Sequence, residues 1–161
     1  MPRGNLHSDF TPSVLDRLIT PKAKGEIGEL RAGSLEALEA SLRRDLSALC
    51  NTRTARQPVP PSYPEAATSL LAFGLPDLVG QNLRLTSEQN RLRRSIENAI
   101  RLFEPRLTAV SVTLETWDES KPYLRFHIDA YVKTDLGSRP VAFDTVFQSD
   151  TGRFLIQEQR A

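Results

Sequence analysis

A carboxylate and a guanidinium, Glu104 and Arg106, flank Pro105 where the periodicity of this 161-residue chain changes. Upstream, Leu92, Ile96, Ala99, Ile100 and Phe103 recur at helical spacing; from Val110 the period becomes two, with Val110, Val112 and Leu114 alternating with polar residues. A proline disfavours helical geometry in the residue before it, so a helix is expected to end near Phe103 and leave Glu104 extended. A carboxylate at a helix C-terminus is disfavoured by the macrodipole by roughly 0.3–1 kcal/mol, and so calls for a partner. Arg106 shares a face with it in an extended chain. Two readings stand: a local ion pair that fixes a sharp corner, or a charged knuckle offered to another protein. A third use would be glycoside hydrolysis, which needs two carboxyl groups roughly 5–10 Å apart, one of them held protonated. Arginine beside Glu104 stabilises the charged form, the wrong direction for a proton donor, and no motif marks a second carboxylate. Strand parity adds a question. A regular strand from Glu104 to Leu114 would put Glu104 and Arg106 on the face of Val110 and Val112. Either the pair lies at the core margin or a bulge near Thr108 resets the alternation.

Other chemistry is sparse. His127 and Asp129 share a strand face, where a histidine is ordinarily solvated. His7 is remote, and Cys50 is the single cysteine, so zinc-ligand spacing and an internal disulfide are both excluded. No glycine-rich loop with Lys-Ser/Thr opens a helix, so a phosphate-binding loop is absent. Arg91, Arg93, Arg94 and Arg101 lie on one helix, but Glu88 and Glu97 are interleaved and Glu97 precedes Arg101 in the favourable i,i+4 order, which describes a salt-bridged face rather than a nucleic-acid surface. Net charge is +1, so no global field argues for nucleic acid or an anionic membrane as partner. Arginine far outnumbers lysine, a bias that suits protein contacts and equally reflects genomic base composition. No run reaches the ~18 apolar residues of a spanning helix, and the first ten residues lack a secretory apolar core. The expectation is a soluble cytoplasmic protein with no cofactor, no metal and no membrane insertion.

These residues must be positioned by an α+β framework: N-terminal helices packed on a small C-terminal antiparallel sheet. Residues 1–11 are expected to form a flexible tail, and 12–161 a single domain. Val14, Leu15, Leu18 and Ile19 make a short amphipathic segment, and Thr20 to Gly33 reads as loop. Ser34 can cap a helix whose stripe is Leu35, Leu38, Leu42, Leu46 and Leu49. Asn51 to Pro64 is a stiff, proline-rich connector. Ala66 to Phe73 suits a short helix, with Gly74 at its left-handed C-terminal position. Thr86 and Gln89 match a capping box at the start of the helix that ends near Phe103. Then come strands: one from Val110, a second through Leu124, Phe126, Ile128, Ala130 and Val132, a turn over Asp135 to Pro140, a third through Val141, Phe143, Thr145 and Phe147, a tight Ser149–Gly152 hairpin loop, and a short last strand from Arg153 to Gln157.

Taken in order, these pieces resemble TssE, the baseplate wedge component of bacterial type VI secretion, a family similar to the wedge and sheath-initiator proteins of contractile phage tails and often labelled lysozyme-like. Glu104-Pro105-Arg106 matches the family's Glu-Pro-Arg motif between a helix and a strand. Leu15–Leu18, Ser41–Leu46 through Leu49, Asn51–Arg53, Tyr63-Pro64, Ser69–Leu78, Phe126 with Ile128, and Thr151-Gly152 resemble its other segments, over roughly residues 10 to 157. Cys50 falls where the family is more usually apolar. The resemblance implies a non-enzymatic structural part of a cytoplasmic baseplate wedge with TssF, TssG and TssK, facing the first ring of the TssB/TssC sheath. It also implies that Glu104, Pro105 and Arg106 hold the protein in that assembly. The alternative is a peptidoglycan-cleaving, lysozyme-like enzyme with Glu104 as general acid. An antiparallel sheet has two edges that can accept a strand from another chain, and Val141 to Phe147 or Arg153 to Gln157 are the candidate edges for starting a sheath.

Overall fold

A computed structural model describes residues 35–54, 60, 62–78, 81–115, 123–134 and 137–158. The tail over 1–11, the amphipathic segment after it, the glycine-containing loop, the Ser34 cap and residues 55–59 and 61 of the proline-rich connector lie outside the described residues.

The first helix, α1, covers Leu35–Asn51. Its stripe is buried as the spacing requires: Leu38, Leu42, Leu46 and Leu49 all enter one core, and Cys50 joins them. The chain leaves α1 through a stitch. Leu75 N–H donates to Thr52 O at 2.8 Å, Thr54 N–H donates to Leu75 O at 2.9 Å, and Arg53 bridges Leu75 in parallel. Gly74 (φ +109°) makes this approach possible, since a Cβ there would stand 2.3 Å from Thr52 O. The glycine takes the positive φ expected just past the helical segment, following the C-cap Phe73, and there it also serves a close backbone crossing. The expected helix over Ala66 to Phe73 is instead two short pieces, a single turn α2 (Pro64–Ala67) and a 3-10 turn (Leu70–Ala72), separated by Thr68 and Ser69, and the Ser69 hydroxyl accepts from Leu71 N–H.

The helix α3 covers Thr86–Phe103 and ends where Pro105 requires. Its start differs from the expected capping box. Leu85 holds the N-cap position without a side-chain bond, and the buried Gln89 turns away to donate to Leu83 O at 2.8 Å. Thr86 is already inside the first turn, so its hydroxyl is past the position from which it could cap.

Four strands follow: β1 (Leu107–Leu114), β2 (Tyr123–Thr134), β3 (Gly137–Gln148) and β4 (Arg153–Glu158), an antiparallel meander in that spatial order. The α+β expectation holds. One face packs on α1 and α3, with Phe126, Ile128, Val132, Phe143 and Phe147 at its centre. Two details correct the expected elements. The β2–β3 turn is shorter than Asp135 to Pro140, because β3 begins at Gly137 and Pro140 pairs with Tyr131. That proline is tolerated because β4 reaches only to Phe143, so Pro140 lies on an edge. For the same reason Val141 to Phe147 is not an edge as a whole: from Phe143 onward it is paired on both sides, and the edges are β1 and β4.

Candidate functional site

The corner between α3 and β1 is built from three elements. Glu104 closes α3, its N–H donating to Ile100 O at 2.9 Å, and the chain turns through Pro105 so that Leu107 N–H reaches Glu104 O at 3.1 Å. Arg106 then folds back on Glu104 as a two-pronged clamp: Nε donates to Oε1 at 2.7 Å and Nη2 to Oε2 at 2.6 Å. The same guanidinium reaches α1, donating from Nη2 to Asp45 Oδ2 at 2.7 Å and from Nη1 to Ser41 Oγ at 3.1 Å. Two carboxylates from distant segments thus converge on one cation. Burial works against the Arg106 charge, but the bonds and attraction of Glu104 and Asp45 outweigh it and hold the guanidinium above its ordinary pKa.

The parity question resolves at Ala109. Residues 108 to 111 of β1 face residues 131 to 129 of β2, one residue too many, and Ala109 takes φ +50° to absorb it. Leu107 and Val110 are therefore both buried although three positions apart. The pair is nonetheless inside the protein: Glu104 is buried, and the Arg106 side chain is largely covered between the corner and α1. Pro105 is the exposed member of the three expected site residues, next to Leu102 on the last turn of α3. Sequence reasoning paired Glu104 with Arg106 and missed Ser41 and Asp45, which lie 65 and 61 residues away. The only signal was indirect: Ser41 and Asp45 sit four apart, on one face of α1, beside the apolar stripe.

Both sheet edges are dressed by side chains. On β1, Arg101 Nη2 donates to Val110 O at 2.8 Å and Arg93 Nη1 to Val112 O at 3.1 Å, while Glu97 between them binds both arginines at 2.6 and 3.1 Å. On β4, the Asn51 amide stands in for a neighbouring strand. Its Nδ2 donates to Phe154 O, and its Oδ1 accepts from Phe154 N–H, both at 2.9 Å. Since the backbone groups of an antiparallel strand alternate in direction, the N–H and C=O of Phe154 and Ile156 point to the free edge and those of Leu155 point to β3.

His127 sits on the open face of the sheet, bonded to Asp144 at 2.8 Å and Asp129 at 3.1 Å. The Asp144 bond, against slight desolvation and with help from Asp129, raises its pKa. No serine, cysteine or third-element group completes a nucleophilic arrangement among these contacts. Cys50 is inert, its thiol pushed up to about 12 by burial. Among the described residues no cluster of His, Cys, Asp or Glu could hold a metal ion, and no helix is long and apolar enough to cross a membrane.

The family described as baseplate wedge protein gp25 matches residues 36–136 of the chain, a span that includes α1, α3, the corner and the β1–β2 pair. Among curated proteins no relative matches. With well over half of its length inside the family match, the chain belongs to the baseplate wedge protein gp25 family.

Proposed function

We propose that this wedge protein is the TssE-like component of a type VI secretion baseplate, a non-enzymatic part that joins TssF, TssG and TssK in the cytoplasm and starts the TssB/TssC sheath. The observation that carries the reading is the family match, because it spans every residue of the locked corner, Ser41 and Asp45 as well as Glu104 and Arg106. The corner supports a structural role. Glu104 has both oxygens engaged by Arg106, and Asp45 is held by the same cation, so neither carboxylate is aimed at a substrate bond. In this reading Glu104 and Arg106 hold the corner's shape, and the exposed Pro105 and Leu102 meet the neighbouring wedge subunits. The sheath then grows on β4, whose outward groups beyond Phe154 begin at Ile156.

Two variants test it. Leu102→Asp is expected to fold normally but to drop out of a co-purification with TssF and TssG. Ile156→Pro removes an outward N–H without cutting the β3–β4 ladder, and is expected to join the wedge but not to nucleate sheath. A proline at Leu155 would instead break an internal ladder bond and report on folding. Wild-type behaviour of both variants sinks the proposal, as does clearing of cell-wall suspensions by the purified protein when Glu104→Gln abolishes that clearing.

A further inference from the structure

An antiparallel sheet normally offers two edges, yet the two edges of this one are dressed with unequal strength. We propose that Arg93 and Arg101 close the β1 edge to strand pairing, so that a partner strand can grow on β4 and not on β1. On β1, the two outward carbonyls that an added strand would have to engage, Val110 O and Val112 O, already accept from guanidinium groups at 2.8 and 3.1 Å. These donors carry charge, and charge-assisted bonds are roughly twice as strong as the neutral amide bonds an incoming strand could offer. They are also held in place: Glu97 lies one helical turn from each and bonds both. The bulge at Ala109 adds a second obstacle, because its extra residue and φ of +50° break the straight run of groups that a ladder needs.

The β4 edge is different. Asn51 covers Phe154 with a neutral amide, and among the described residues no side chain bonds the outward groups of Ile156. Among the described residues the sheet is therefore one-ended. This deepens the sheath reading, since a protein that starts a polymer needs a single growth direction, but the closure of β1 can be tested without any sheath.

The test uses the full purified chain. Arg93→Met with Arg101→Met keeps the aliphatic packing and removes the donors. Light-scattering mass over a concentration series is expected to show self-association at least about tenfold stronger than in wild type. Adding Leu114→Pro, at a β1 position whose N–H faces outward, is expected to reverse that gain. A double variant with wild-type circular dichroism and wild-type mass throughout overturns the proposal. So does association that Leu114→Pro fails to reverse, because it then runs through another surface. Should the double variant fail to fold, Arg101→Met alone decides by the same mass measurement at the Val110 carbonyl; that side chain is already 55% exposed, so its loss spares the core. A failed test leaves the wedge assignment standing, and normal sheath nucleation by Ile156→Pro, which counts against the sheath reading, leaves the closed β1 edge standing.

Discussion

Two clusters in this protein have nearly the same composition and different consequences. At the corner, Glu104 and Asp45 converge on Arg106 at 2.6 and 2.7 Å; on the open sheet face, Asp144 and Asp129 converge on His127 at 2.8 and 3.1 Å. Each is two carboxylates on one base. What separates them is water. The Glu104 and Arg106 side chains keep 8% and 12% of their surface, whereas Asp129 and Asp144 keep 56% and 44%. Contact distance alone therefore says little about what a pair contributes. A buried charge that loses its partner has no solvent to turn to, while an exposed one rehydrates at little cost.

The contrast can be broken most severely at the corner. Glu104→Ala leaves Arg106 with a reduced set of partners in a dry site and is expected to destabilise the fold by about 3–5 kcal/mol in denaturant titration. Stability equal to wild type would move the corner into the same class as the sheet face. Asp45→Ala removes one acceptor but leaves the two-pronged Glu104 clamp, so a smaller loss of about 1.5–3 kcal/mol is expected. The Glu104 and Asp45 losses should be non-additive when combined, because both carboxylates share one guanidinium; strict additivity in a double-mutant cycle would show that they act separately.

The smallest effect belongs to His127. Its pKa is raised in the folded protein, so its contribution to stability is fully present below about 6.5 and fades as pH rises through the folded value. His127→Gln is expected to change stability by no more than about 0.5 kcal/mol at neutral pH, as surface substitutions usually do. The variant should also flatten the decline expected of wild type as pH rises above about 6.5 and through the raised folded value. A variant with the same pH profile as wild type would assign that decline to other groups.

Local periodicity carried much of this fold. The leucine stripe of α1, the alternation of β2 and β3, and the stop at Pro105 all follow from spacing within a dozen residues. The Glu104–Arg106 pair was legible too, since an extended chain brings positions two apart to one side. Side-chain contacts between distant elements were not. Asp45 reaches Arg106 across 61 residues, and no local rule selects it over the other acids of α1. Arg101 read as a partner of Glu97, which it is together with Arg93, but nothing local reveals that both arginines also reach carbonyls of the next strand. The capping box failed for a related reason: Gln89 found a buried carbonyl at Leu83, and tertiary placement overrode the local motif. Strand order escaped as well, because alternation marks a strand without saying which neighbours it acquires.

Asn51 and Phe154, tied by two bonds, are 103 residues apart in the chain. Contacts of such separation form late, after the intervening segments have found their places and the entropy of closing a long loop has been met. During synthesis β4 is the last described strand to leave the ribosome, so α1 must wait with its C-terminal end unsealed while the rest of the sheet assembles. The surface proposed to start a polymer is thus the last of the described elements to mature, and a chain that has not yet made β4 has no completed edge there from which growth could begin prematurely.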